Sequence, residues 1–178
     1  MKIKAIVVSL LCTIASQHLK SQEMRSEIIN ETQRIQETIS KLFIHSDDRN
    51  WKIVESLFAD TVTLDYSSMT GNSAAKVSPT DITSAWKTVL PGFTYTHHQL
   101  GNFITEINES KAHTFCYGTA THYLENNNGN IWTVVGSYDF DLEKINNNWK
   151  ITLMKFNYKY QNGNDKLIQE AIKNVKSN

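Results

Sequence analysis

Beyond residue 92 the chain consists of long segments of strand character separated by asparagine-rich turns, and this limits the fold more than any other feature. Residues 93–107, 112–125, 131–145 and 149–160 are rich in β-branched and aromatic side chains. Between them lie Asn108-Glu109-Ser110, the NNNGN run of residues 126–130, and Asn146-Asn147-Asn148. Short turns between long strands predict an antiparallel meander. Gly101 is the point where the first of these strands is expected to bend.

Helical patterns precede the meander. Ile28, Thr32, Ile35, Ile39, Leu42 and Phe43 recur at three- and four-residue spacing within residues 23–44, an amphipathic helix with one buried stripe. After the polar break HSDDRN, Trp51, Val54, Leu57 and Phe58 mark a shorter helix, and Val62, Leu64 and Tyr66 alternate as in a strand. Ser78, Pro79 and Asp81 form a helix start, followed by Ile82, Ala85, Trp86 and Val89 and a stop at Pro91-Gly92. Leu167, Ile168, Ala171, Ile172 and Val175 predict a closing helix over residues 165–175. Helices followed by a meander give an α+β domain. Strands this long must coil if helices pack on one side, so the expected form is a cone with helices on its concave face and a pocket inside.

The first 22 residues read separately. A basic start (MKIK), the apolar run AIVVSLLCTIA at residues 5–15 and a polar, small-residue segment follow the plan of a secretory signal peptide. Cleavage is expected between residues 16 and 23, leaving a domain over residues 23–178 that is secreted or periplasmic and has no membrane contact once the leader is removed. Leu11 before Cys12 argues against a lipoprotein. Removal of Cys12 leaves Cys116 alone, so no intramolecular disulfide forms and the thiol is expected to be buried and inert. The 18 Lys and Arg residues balance 18 Asp and Glu and are scattered, which excludes a nucleic-acid groove.

The chemistry centres on THHQLGN. Neighbouring strand residues point to opposite faces, so only one of His97 and His98 faces inward. Alternation alone leaves the choice open; Thr96, Leu100, Asn102 and Ile104 share the His98 face, and the apolar members favour it. On residues 112–124 one face carries Thr114, Cys116, Gly118, Ala120 and His122, small residues that leave volume for a cavity with His122 on its wall.

The segment HSDDRNWKIVESLFADTVTLDYSS resembles the opening of scytalone dehydratase and related SnoaL-like proteins. THHQLGN and THYLE resemble their two histidine-bearing strands, and NNWKITLMKF their closing hairpin, so the likeness covers roughly residues 40–160. It implies the cone-shaped nuclear transport factor 2-like fold and a cofactor-free, metal-free pocket for a small molecule. It also implies catalytic roles for His98, His122, Asp47 and Tyr66. In that family the aspartate bonds the histidine matching His122, the other histidine abstracts a proton, and the tyrosine matching Tyr66 holds a water against a carbonyl. Ser46 stands where the dehydratase has a second tyrosine, and Tyr138 where it has a pocket asparagine; with Asn102 they are the expected substrate-binding residues.

An imidazole transfers protons near neutral pH, a carboxylate fixes its tautomer, and a phenol stabilises a developing enolate. The set suits water elimination or enolisation of a hydroxy-carbonyl compound. The competing readings are a binding module for a small hydrophobic ligand, a facial metal triad of two histidines and a carboxylate, and an assembly domain. For the last, Tyr117 and Tyr123 on the outer face either pair copies as a dimer or trimer or lie under the tail helix.

Overall fold

The computed structural model describes residues 2–177, with side chains from residue 16 onward. The apolar run of residues 5–15, Cys12 included, lies outside the described side chains. The chain divides into two units, Met1–Arg34 and Ile35–Asn178. Helix α1 (Lys2–Asp47) supplies the described residues of the first, where Arg34 pairs with Glu31 one turn away at 2.9 Å, and its last turns belong to the second. Among the described residues no helix is long and apolar enough to cross a membrane.

Within the second unit α1 buries Ile35, Ile39, Leu42 and Phe43. Each such side chain contributes about 1.5–3 kcal/mol by leaving water. Ile28, placed on the same stripe by its spacing, is exposed. Next come α2 (Trp51–Leu57), β1 (Phe58–Asp65), the single turn α3 (Ser67–Thr70), β2 (Ala75–Val77) and α4 (Pro79–Lys87). Tyr66 does not continue the strand as its alternation suggested; it caps α3. The start of α4 is a reciprocal capping box: the Ser78 hydroxyl accepts from the Asp81 N–H, and the Asp81 carboxylate accepts from the Ser78 N–H. A 3-10 turn at Leu90–Gly92 leads into β3 (Tyr95–Asn108), β4 (Lys111–Tyr123), β5 (Ile131–Ile145) and β6 (Asn148–Gly163), and α5 (Leu167–Ser177) ends the chain.

The strands form one six-stranded sheet in the order β2-β1-β6-β5-β4-β3, antiparallel throughout except where β1 runs parallel to β6. Register shifts interrupt the β3–β4 and β5–β6 pairings, with the extra residues on β3 and β6, and such bulges let long strands curl around the helices. The bulge in β3 falls between Gly101 and Ile104, with Asn102 at φ 56°. It reverses the alternation, so Asn102 and Ile104 are exposed while Leu100 and Phe103 are partly buried. Ile104 therefore does not share the face of His98.

The inner face of β4 is buried from Ala112 to His122 at every second residue. Its small residues leave less empty space than expected, because the Tyr138 ring occupies part of it: a Cβ on Gly118 would lie 2.4 Å from that ring. Cys116 is fully buried; burial, with Asp139 nearby, pushes its thiol up to about 12, which makes it inert. Helix α5 packs on the 3-10 turn so closely that a Cβ on Gly92 would strike the Ala171 backbone. It is not a cover for Tyr117, which stays exposed under the ammonium of Lys159.

Candidate active site

Three adjacent strands build the site. The β3–β4 register sets His98 opposite Ala120 and Thr96 opposite His122. The two histidines are thus diagonal neighbours on one face, with ring centroids 6.1 Å apart. His97, opposite Thr121, is exposed on the other face. On β5, Trp132 stands opposite His122 and Val134 opposite Ala120. Phe43 and Ser46 of α1, Trp86 of α4 and Leu90 of the 3-10 turn close the opposite side. With Tyr66, Met69, Tyr138 and Phe156 they complete a cavity of about 170 Å³. No Lys, Arg, Asp or Glu is among the lining residues.

One end of the cavity is wired by hydrogen bonds. Asp47 lies behind His98, at the end of α1, and its Oδ1 is 2.7 Å from the His98 Nδ1. The same oxygen accepts from the Thr96 hydroxyl at 2.7 Å, and Oδ2 accepts from the His98 backbone N–H at 2.8 Å. Burial alone would raise the Asp47 carboxyl. Hydrogen bonds from His98, its charge attraction and the Thr96 hydrogen bond prevail and hold it below the usual carboxylate range. An anionic Asp47 makes Nδ1 the protonated nitrogen of His98, which leaves the Nε2 lone pair to the cavity that His98 lines.

The other end is apolar. The His122 ring stacks on Trp132 at 4.6 Å and meets Phe93 at 4.9 Å. Its Nδ1 is 3.3 Å from the Trp132 carbonyl oxygen, an acceptor only, so Nδ1 is the donor and Nε2 again carries the lone pair. Burial, reinforced by repulsion from His98, pushes His122 down to about 4, against smaller opposing effects of the Trp132 carbonyl and Asp47. It is neutral at pH 7. The expected pairing is therefore corrected: Asp47 bonds His98 and not His122, because α1 ends beside β3 and the Thr96–His98 backbone folds around the carboxylate.

The phenols of Tyr66 and Tyr138 face the same space, and burial raises both well above the ordinary tyrosine value, so both remain proton donors. Tyr138 packs between Phe43 and Phe156 at 5.0 and 4.8 Å. Ser46 also lines the cavity, but its hydroxyl donates to the Leu42 carbonyl at 2.6 Å and is spent within its own helix. Asn102 is not in the cavity, since the β3 bulge turns it outward. Among the described residues no three His, Cys, Asp or Glu side chains converge as a metal-binding set.

Sequence reasoning draws Ser46 and Asp47 from HSDDRN for the site and passes over Arg49. Its guanidinium is part-buried and donates to the carbonyls of Ser46 and Asp47, to the Thr96 hydroxyl and to the Leu90 carbonyl. The signal was its position, two residues beyond Asp47 at the end of a helix, where a cation meets unpaired carbonyls. Trp86, placed by its spacing in the third predicted helix, and Leu90 and Trp132, not singled out in the sequence, also stand in the cavity wall.

Comparison with known proteins follows the same outline. The family model for the SnoaL-like domain matches residues 27–155. No curated protein matches the chain. Among solved structures, the Kfla4162 protein of Kribbella flavida superposes with a TM-score of 0.72 at 20% identity, covering 84% of this chain and 99% of its own. A protein of Novosphingobium aromaticivorans provisionally assigned as a scytalone dehydratase gives 0.65 at 17% identity, with coverages of 76% and 89%. A hexachlorocyclohexane dehydrochlorinase of Novosphingobium barchaimii gives 0.65 at 16% identity, with coverages of 77% and 92%. At these identities the likeness establishes the nuclear transport factor 2-like fold.

Proposed function

The chain belongs to the SnoaL-like family, and on that footing we propose that it is a cofactor-independent lyase or isomerase. It would remove a proton from carbon in an uncharged, largely apolar hydroxy-carbonyl substrate. The observation that carries this reading is the Asp47–His98 pair at 2.7 Å, which leaves the Nε2 of His98 to an apolar cavity.

The steps follow from the groups present. The Nε2 of His98 takes the proton α to the carbonyl, and Asp47 stabilises the imidazolium that forms. The C–H electron pair moves toward the carbonyl oxygen, where a hydrogen bond from Tyr66 or Tyr138 stabilises the enolate. The enolate then expels a β-hydroxyl, which takes the proton back from His98 and leaves as water; return of the proton to another carbon gives isomerisation instead. His122, neutral and without a carboxylate partner, accepts a hydrogen bond from a substrate hydroxyl through its Nε2. The cavity wall offers no counter-ion for a carboxylate or phosphate substrate.

The test is mass spectrometry of small molecules retained by the purified protein, then turnover assays on the compound class found. Retention of hydroxy-carbonyl compounds, with loss of water or deuterium exchange at the α-carbon, is expected. A ligand that is retained but neither converted nor exchanged would assign the pocket to carriage and overturn the enzymatic reading.

A further inference from the structure

The Asp47–His98 pair is not held by its own two side chains alone. Behind it runs a chain of hydrogen bonds that starts outside the cavity, at Arg49. The Nη1 of Arg49 donates to the Thr96 hydroxyl oxygen at 2.7 Å, and that hydroxyl lies 2.7 Å from Asp47 Oδ1. A threonine hydroxyl has one proton. With the guanidinium donating into its oxygen, that proton is available to Asp47. The direction of the second bond is thus set by the first.

The guanidinium is itself fixed. It also donates to the carbonyls of Ser46 at 2.8 Å and Asp47 at 3.0 Å, the open end of α1, and to the Leu90 carbonyl. These bonds tie the helix end, β3 and the turn before β3 to one planar group. The Arg49 backbone sits at φ 59°, an uncommon conformation for a residue with a side chain. The bonds made by its guanidinium oppose relaxation of that backbone.

We propose that Arg49 is a positioning residue that acts through Thr96: it locks the Asp47 carboxylate so that His98 keeps its proton on Nδ1 and presents Nε2 to the cavity. The proposal rests on the reading of His98 as the base. Arg49 and Asp48 are the charged side chains adjoining Asp47 in sequence, and His98, His122 and Tyr138 are the titratable groups of the site that feel its charge. Arg49 makes no cavity wall, so its influence on a reaction is indirect.

The experiment is NMR of the full chain with ¹⁵N-labelled histidine and ¹³C-labelled aspartate, needing no substrate. Two-bond couplings report the His98 tautomer, and the carboxyl carbon reports the Asp47 titration. The parent protein is expected to show a single Nδ1–H tautomer with a slowly exchanging proton. Thr96→Val removes the middle link at constant shape and leaves the helix-end contacts of Arg49 in place. It should abolish the slow exchange, mix the tautomers and move the Asp47 midpoint upward. Thr96→Ser should restore the parent signals, and Arg49→Met should reproduce Thr96→Val. Parent-like tautomer and midpoint in Thr96→Val, with Arg49→Met changing only the melting temperature, would overturn the proposal and leave Arg49 as a helix-end anchor. Because the signals do not depend on turnover, loss of the enzymatic reading and loss of this coupling are separate results.

Discussion

The two ends of the cavity hold the same residue under opposite conditions. The His98 ring pairs with a carboxylate that Thr96 also bonds, while His122 rests against the rings of Phe93 and Trp132 with one long bond to a carbonyl. Only 6.1 Å separates the rings. The polar end gives its imidazole a carboxylate partner, whereas burial at the apolar end keeps the other imidazole neutral. The two imidazoles thus differ by their surroundings and not by residue type. On the proposed reading the cavity gains one base and one neutral acceptor from a histidine pair.

The largest expected effect follows from exchanging that assignment. His98→Gln keeps a polar side chain of similar reach but removes the base, and turnover of the substrate class identified by retention should fall by about 10²–10⁴-fold. Asp47→Asn should cost about 10²-fold, the lower end of the same range, since the amide no longer stabilises the imidazolium. His122→Gln should act mainly on KM. Equal losses of kcat in His98→Gln and His122→Gln would show that the ends are not divided in role.

A second effect concerns stability. Burial lowers His122 from 6.5 to about 4, so the unfolded chain binds a proton there more readily than the folded one. The stabilisation is complete above pH 6.5 and is lost as pH falls toward about 4. That drop corresponds to roughly 3 kcal/mol. Asp47, also lowered by its surroundings, gives way at more acid pH and adds to the loss there. Urea unfolding between pH 7 and 4 should show the decline in the parent protein and a flatter profile in His122→Phe. A parent profile that is already flat would mean that His122 is not held neutral by its surroundings.

Much of this molecule can be read from the chain, and the misses share a cause. The meander, the Ser78-Pro79-Asp81 helix start and the small-residue face of β4 are local patterns, and each appears where the sequence puts it. The SnoaL-like resemblance agrees with the family model match. His98 does face the cavity, but half of the reasoning for it fails: Ile104 was counted on its face, and the bulge after Gly101 puts it on the other. A bulge adds a residue without a strong sequence mark, and every later side chain changes face. The same shift removes Asn102 from the site. The Asp47 pairing was misassigned because both histidines lie on one face, and only the seating of α1 against β3 decides between them. Arg49 was missed because a charged loop residue looks the same in sequence whether it is solvated or bonded to four acceptors.

The smallest effect isolates the two ends most finely. Gly118 and Gly101 face each other obliquely across β3 and β4, yet a Cβ on Gly118 would lie 2.4 Å from the Tyr138 ring while one on Gly101 would meet nothing within 4 Å. Gly118→Ala must displace Tyr138, and overpacking of this kind costs roughly 1–3 kcal/mol. Gly101→Ala should be nearly neutral. Tyr138 leans on Phe43, and Phe43 meets the His98 ring at 5.0 Å. His122 instead rests on Phe93 and Trp132, neither of which meets Tyr138. Gly118→Ala should therefore shift the ring resonances of His98 and leave those of His122 nearly in place, measured against Gly101→Ala as control. If both histidines move together, the two ends share one packed core, and the separation between a wired end and an apolar end is chemical only, without a mechanical counterpart.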